Sequence, residues 1–181
     1  MAPVLVIGGL PGAGKTTVAE GLARRRGWEV VSAGDLFREW AEEKGLSLGA
    51  FGRLAEEDHT IDRRLDEAIL KRVTDMAARE IPLVVEGRLP AHLLRAEGQE
   101  IFAVWLEAPR SVRAARVAQR DAQSEEAAHR EMKTREASES RRYAAIYGID
   151  LADQSVFDLV LDSSERTPEQ LVDTILEEAG V

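Results

Sequence analysis

Five short apolar runs, separated by amphipathic stretches, organise the chain. They are Val4-Leu5-Val6-Ile7, Glu29-Val30-Val31-Ser32, Pro82-Leu83-Val84-Val85-Glu86, Ile101-Phe102-Ala103-Val104-Trp105-Leu106 and Phe157-Asp158-Leu159-Val160-Leu161. Runs this short and this rich in β-branched side chains read as strands buried on both faces. Between them, apolar residues recur at helical spacing from Thr17 to Ala23, Asp35 to Lys44, Leu48 to Ala78 (with at least one break), Ser111 to Gln119 and Ser124 to Tyr147. Thr167-Pro168-Glu169-Gln170 reads as a helix start, Thr as N-cap and Pro in the first turn, and predicts a last helix running towards Glu178. Strands alternating with helices predict an α/β fold: a five-stranded parallel sheet flanked by helices on both faces.

Two connections are too long for simple crossovers, from Asp35 to about Ala78 and from about Arg113 to Tyr147. Parallel sheets bind ligands beyond the carboxyl ends of their strands, where both excursions begin. The expected arrangement is one domain over 1–181, with a helical second-substrate clamp at about 35–78 and a closing lid at about 113–147. No repeat, low-complexity tract or Pro/Ser-rich linker divides the chain.

Composition narrows the classes of function. With 181 residues, 44% hydrophobic and 31% charged, the chain is long enough to bury a sizeable core. A net charge of −9 disfavours nucleic-acid polymers and anionic membranes as partners. The apolar runs are too short to span a bilayer. The first strand begins at Val4, so no signal peptide is expected, and a cytoplasmic monomer is the default expectation. The absence of cysteine excludes disulfides, thiolate catalysis and cysteine metal sites. Arginine outnumbers lysine, which codon usage explains for most positions; the placement of particular arginines is more informative.

Between the first strand and the first helix, Gly9-Leu10-Pro11-Gly12-Ala13-Gly14-Lys15-Thr16 fits G-x-x-x-x-G-K-[ST], a phosphate-binding loop in its required setting. Its glycines let backbone N–H groups close around phosphate oxygens, and the helix N-terminus adds partial positive charge. Residues Gly9 to Thr16 together with Thr17 are therefore the expected ATP site. Lys15 would reach the β- and γ-phosphates, and the Thr16 hydroxyl would ligate Mg2+.

Three further constellations lie at strand ends or in the excursions. In Ser32-Ala33-Gly34-Asp35-Leu36-Phe37-Arg38, Asp35 reads as a helix cap and Arg38 as facing back towards the phosphate loop. In Glu86-Gly87-Arg88, Gly87 permits a tight turn and Arg88 emerges over the same edge. Two arginines converging there suit bidentate clamping of a monophosphate. Glu86 sits where a carboxylate holds Mg2+ through water, or it is a buried capping carboxylate. In the second excursion Arg116 and Arg120 share one helix face, Arg135, Glu139 and Arg142 another, with the hydrophilic turn Asp121-Ala122-Gln123-Ser124 between. This hairpin either presents guanidinium groups to a transferring phosphoryl group or is a solvated hairpin neutralised by Glu125, Glu126, Glu131, Glu136 and Glu139. In the first excursion Asp58, Asp62 and Arg63 are candidates for hydrogen-bonding a base, against the alternative of a solvated acidic helix. His59 has no second histidine at ligand spacing. Trp28, Phe102, Trp105 and Phe157 read as core, and Trp40 and Phe51 as packing for the first excursion.

At these residues the chain resembles the nucleoside monophosphate kinases, and within them the archaeal-type cytidylate kinases. The resemblance rests on Gly9 to Thr17, Ser32 to Glu39, Ala55 to Arg63, Glu86-Gly87-Arg88-Leu89, Arg135-Glu136 with Ser138-Glu139, Arg142-Tyr143, Ile146 to Asp150 and Asp162-Ser163-Ser164, and covers nearly the whole chain. Adenylate kinases instead carry Asp-Gly and a Pro-Arg pair after the third strand. Leu10 departs from the small or proline-like residue common in the family, leaving the glycines and Lys15 untouched. The resemblance implies a P-loop NTPase fold and transfer of the γ-phosphoryl of ATP to CMP, and to dCMP, giving CDP and ADP with Mg2+. It implies acceptor binding by Ser32, Gly34, Asp35, Arg38, Asp58, Asp62, Arg63, Glu86, Gly87 and Arg88. Lys15, Arg116, Arg120, Arg135 and Arg142 would act on the transferring group. Competing readings are the same reaction on UMP, AMP or dephospho-coenzyme A, or a P-loop switch that hydrolyses ATP slowly.

Overall fold

A computed structural model describes residues 2–181. Five parallel strands form one sheet: β1 (Val4–Gly9), β2 (Glu29–Ser32), β3 (Leu83–Glu86), β4 (Phe102–Glu107) and β5 (Leu159–Asp162). Their order is β2-β3-β1-β4-β5, with Val6 of the central strand in register with Val85 on one side and Ala103 on the other. Eight helices accompany them among the described residues: α1 (Lys15–Arg26), α2 (Ala33–Glu43), α3 (Leu48–Glu57), α4 (Thr60–Ala78), α5 (Pro90–Ala96), α6 (Arg110–Arg120), α7 (Glu125–Tyr147) and α8 (Pro168–Ala179).

Alternation along the strands builds two cores. Leu5 and Ile7 point to one face, where Val18, Leu22, Val172 and Ile175 of α1 and α8 cover them. Val4 and Val6 point to the other, under Leu65, Ile69 and Val73 of α4 and Ala91 and Leu94 of α5. Because β1 is covered on both faces, its run is continuously apolar. The excursions carry small cores of their own. Phe51, Ala41, Ala55 and Ile61 hold α2, α3 and α4 together, with the Phe37 ring tilted at 53° to that of Phe51 and 4.7 Å between centroids. Ala114, Val117, Ala118, Ala128 and Met132 close the α6–α7 hairpin.

The predicted elements differ from the observed ones at a few ends. α2 begins at Ala33, so Ser32 rather than Asp35 is its cap: the Ser32 hydroxyl accepts from the Asp35 N–H at 3.0 Å. β5 begins at Leu159; just before it the Asp158 N–H donates to the Ala103 carbonyl at 2.8 Å, and the Asp158 carboxylate accepts from the Ala103 N–H and from Arg95, both at 2.7 Å. α5 has too few turns for its periodicity to show in sequence; Pro90 opens it. Thr167 caps α8 as anticipated, with Gln170 completing a reciprocal capping box.

Candidate active site

A cavity of about 1190 Å3 opens beyond the carboxyl ends of the strands, between the phosphate loop and the two helical excursions. The loop between β1 and α1 turns its amides towards this space. No group in the chain, among the described residues, accepts from the N–H groups of residues 14–17. The carbonyls on the loop's other side are each held. Leu10 O accepts from Lys15 Nζ at 3.1 Å, Pro11 O from Arg113 at 3.0 Å, Gly12 O from Arg116 at 3.3 Å and Ala13 O from the Ser163 hydroxyl at 2.8 Å. Pinning the carbonyls outward leaves a nest of donors inward, the geometry of an anion site. Two backbone positions require glycine: Gly14 caps α1 at φ +95°, and a Cβ on Gly12, at φ +77°, would lie 2.5 Å from the Arg113 carbonyl.

The charge in this pocket is unbalanced. Burial, then the neighbouring Arg88, pushes the Lys15 ammonium down to about 7, against a smaller opposing pull from Glu86; Arg135 and Arg113 push the same way as Arg88. Burial followed by Arg135 pushes Arg88 down to about 9, and burial likewise lowers Arg135. Cations that depress one another's protonation in a common pocket are short of an anion. Glu139 of α7 supplies part of the missing charge, pairing with Arg88 and accepting from Arg135 Nε at 2.9 Å. Glu86 is buried and accepts from the Ser32 hydroxyl through Oε1, while among the described residues neither its Oε2 nor the Thr16 hydroxyl makes a hydrogen bond. One hydroxyl and one free carboxylate oxygen beside a phosphate site are a donor set that fits Mg2+, whose remaining ligands would be water and phosphate oxygens.

The structure places the sequence-predicted residues unequally. Pro11 to Thr17, Gly34, Arg38, Asp62, Glu86, Gly87, Arg88, Arg116, Arg120, Arg135 and Arg142 all line the cavity. Gly9, Leu10, Ser32 and Asp35 do not line it: the Leu10 carbonyl anchors Lys15, Ser32 anchors Glu86, and the exposed Asp35 pairs with Arg38. Asp58 and Arg63 are exposed and outside it, and Asp58 accepts from the Thr60 N–H and hydroxyl at 3.0 and 2.6 Å to start α4. Spacing suggested that Asp58, Asp62 and Arg63 share a face; the break between α3 and α4 at Asp58–His59 turns only Asp62 inward.

The four hairpin arginines also divide. Arg120 is exposed and bidentate on Asp121, and Arg135 is held on Glu139. Arg116 is a loop brace, donating to the Ser163 carbonyl at 2.6 Å as well as to Gly12. Arg142 is buried against the first excursion, with Nε 2.8 Å from Asp62 and Nη1 donating to Gly52 O and Ser138. Arg142 and Glu139 share a helix side by spacing but are not partners: Glu139 faces Arg88 and Arg135, and Arg142 faces α3 and α4. Spacing along α7 could not show this, because the helix splits its allegiance. Glu136 binds Arg110 and Arg113 of α6, whereas Arg141, Arg142 and Tyr147 bind Glu56, Asp62 and Asp66.

Sequence reasoning missed Arg113, Ser163, Asp66 and Tyr147. Ser163 and Tyr147 were legible only as parts of family stretches, and Arg113 carries no motif. Asp66 stands four residues after Asp62, a spacing that would have marked it as sharing Asp62's face.

A β1-centred parallel sheet, a phosphate loop at its carboxyl edge and an arginine-rich cleft between helical excursions define a P-loop kinase fold. Solved structures of the same architecture include a shikimate kinase from Acinetobacter baumannii (TM-score 0.62, 19% identity, 98% of this chain and 93% of that one) and a gluconokinase from Sinorhizobium meliloti (TM-score 0.63, 18% identity, 98% and 91%). Sequence is more specific. The chain belongs to the cytidylate kinase-like family, whose model matches residues 4–165. It is 43% identical over 161 residues to a cytidylate kinase of Methanococcoides burtonii, covering 89% of this chain and 87% of that protein. It is also 43% identical over 174 residues to one from Methanopyrus kandleri, covering 92% and 88%.

Proposed function

We propose that the protein transfers the γ-phosphoryl group of ATP to CMP, and also to dCMP, giving CDP and ADP. The observation that carries this reading is the convergence of Lys15, Arg88 and Arg135 on one cavity beside loop amides that no described residue partners, in a chain of this family. In this reading α2–α4 form the acceptor-binding arm and α6–α7 the lid. The amides of residues 14–17 and Lys15 hold the donor phosphates. Arg88 and Arg38 grip the acceptor phosphate, which takes over the partner that Glu139 now provides for Arg88. Arg135 and Arg120 neutralise charge on the transferring group, and Arg116 acts by keeping the loop carbonyls turned away. Arg142 belongs with the acceptor arm, through Asp62.

Thr16 and, through water, Glu86 would hold Mg2+, which when bound draws charge from the β- and γ-phosphate oxygens. No general base is required, since a phosphate monoester is largely ionised at neutral pH. What this chain's own residues contribute is alignment, charge neutralisation and exclusion of water. The test is a coupled ADP-release assay with ATP and Mg2+ across CMP, dCMP, UMP and AMP. Turnover highest with CMP, with dCMP close behind, is the expected result. ADP release that no monophosphate stimulates would overturn the reading in favour of a slow ATPase.

A further inference from the structure

Asp62 and Asp66 sit one turn apart on α4, both buried and both lining the cavity. Among the described residues only Asp62 has a cation: Arg142 Nε lies 2.8 Å from it. Asp66, 8% exposed, has none and accepts a single hydrogen bond, from the Tyr147 hydroxyl to Oδ2 at 2.7 Å. Its Oδ1 makes no bond within the chain, among the described residues. On the same wall, Arg142 uses Nε and Nη1 on the protein, and Nη2 has no partner there. A buried carboxylate without a counter-charge is unfavourable, and burial pushes Asp66 up to about 7. The cavity wall thus carries one open acceptor and one open donor that no described residue uses.

We propose that Asp66 is a specificity-determining residue for the acceptor base: its Oδ1 accepts from an exocyclic amino group while Arg142 Nη2 donates to the adjacent ring nitrogen or carbonyl. The assignment rests on the acceptor-arm reading above. Cytosine offers that pattern, an N4 amino group beside the N3 and O2 acceptors. Uracil inverts it, setting its O4 acceptor against the carboxylate oxygen and its N3–H against the guanidinium. Sites built to hydrogen-bond one pattern reject its inverse strongly, because buried groups are left unpaired. Adenine shares the amino-beside-nitrogen pattern of cytosine, so this pair separates CMP from UMP and leaves AMP to be excluded by size.

Tyr147 is a positioning residue: its hydroxyl holds Oδ2. In Asp66→Asn that hydroxyl can donate to the amide carbonyl or accept from the amide NH2, so the variant can turn an NH2 group towards uracil O4, which the carboxylate cannot. The experiment measures kcat/KM for CMP and UMP at pH 8.5, where Asp66 is ionised, in the wild type, Asp66→Asn, and Asp66→Asn combined with Tyr147→Phe. Thermal unfolding and binding of a fluorescent ATP analogue establish that each variant is folded. The CMP/UMP ratio is expected to fall at least about 10-fold in Asp66→Asn, chiefly through a gain for UMP. In the double variant it should stay low while both kcat/KM values drop, since the amide loses its anchor. An Asp66→Asn enzyme that keeps the wild-type ratio, or loses both substrates equally, overturns the assignment. A wild type that phosphorylates no pyrimidine monophosphate instead overturns the function reading on which it stands.

Discussion

Replacing Lys15 by methionine should abolish phosphoryl transfer while making the ligand-free protein more stable. Met keeps the length and most of the apolar stem of Lys and removes only the ammonium group. In the native pocket that group is held at about 7 instead of 10.5, by burial first and then by Arg88. At 1.36 kcal/mol per pH unit the difference sets an upper bound of about 5 kcal/mol on the unfavourable free energy of the charged form. Lys15 is only half-buried, and cleft water screens part of this, so about 2 kcal/mol at pH 7 is the working value. The sign of the pH dependence follows. Between pH 7 and 10.5 the unfolded chain binds a proton at Lys15 that the folded chain does not, so this group adds stability as pH rises through that window. The variant lacks the group and the slope. Urea unfolding of both proteins from pH 6 to 10 measures the difference, which should be largest near neutral pH and vanish by about pH 10.5. Transfer from ATP should fall on the order of 10³-fold in the same variant. A Lys15→Met protein less stable than wild type at pH 7, or offset by a pH-independent amount, would refute the picture of an anion-deficient pocket.

Arg142→Ala should destabilise the fold by about 3–5 kcal/mol, because it leaves Asp62 buried without its cation; urea midpoints check this, and a loss below about 1 kcal/mol would mean that the residue is an ordinary exposed hairpin arginine. Arg88→Ala should raise KM for CMP and lower kcat together, since a loosely held acceptor phosphate loses its in-line approach, whereas a KM effect alone would assign Arg88 to binding only. Asp66, held at about 7 and so above its ordinary 3.8, makes stability fall as pH rises from about 4 to about 7, by at most about 4 kcal/mol. Unfolding of Asp66→Asn should lack that fall.

Much of the fold was legible in the sequence because it depends on local order along the chain. Strand β1, the glycine turn and α1 are contiguous, so the phosphate loop and the roles expected of Lys15 and Thr16 follow from eight adjacent residues. The buried strands announce themselves through short β-branched runs, and the excursions through connections too long for a crossover. Helix periodicity could say that Arg135, Glu139 and Arg142 share a face, but not which neighbour that face meets. Only the tertiary structure decides that Glu139 turns to Arg88 and Arg142 to Asp62, because those partners lie 51 and 80 residues away in sequence. The same holds for the loop carbonyls held by Arg113, Arg116 and Ser163, and for Asp66 left without a cation under Tyr147. Local patterning determines elements and contiguous motifs, since both are set by residues a few bonds apart. The balance of charge in a cleft is a sum over side chains that only folding brings within a few ångströms, where Coulomb and desolvation energies become large.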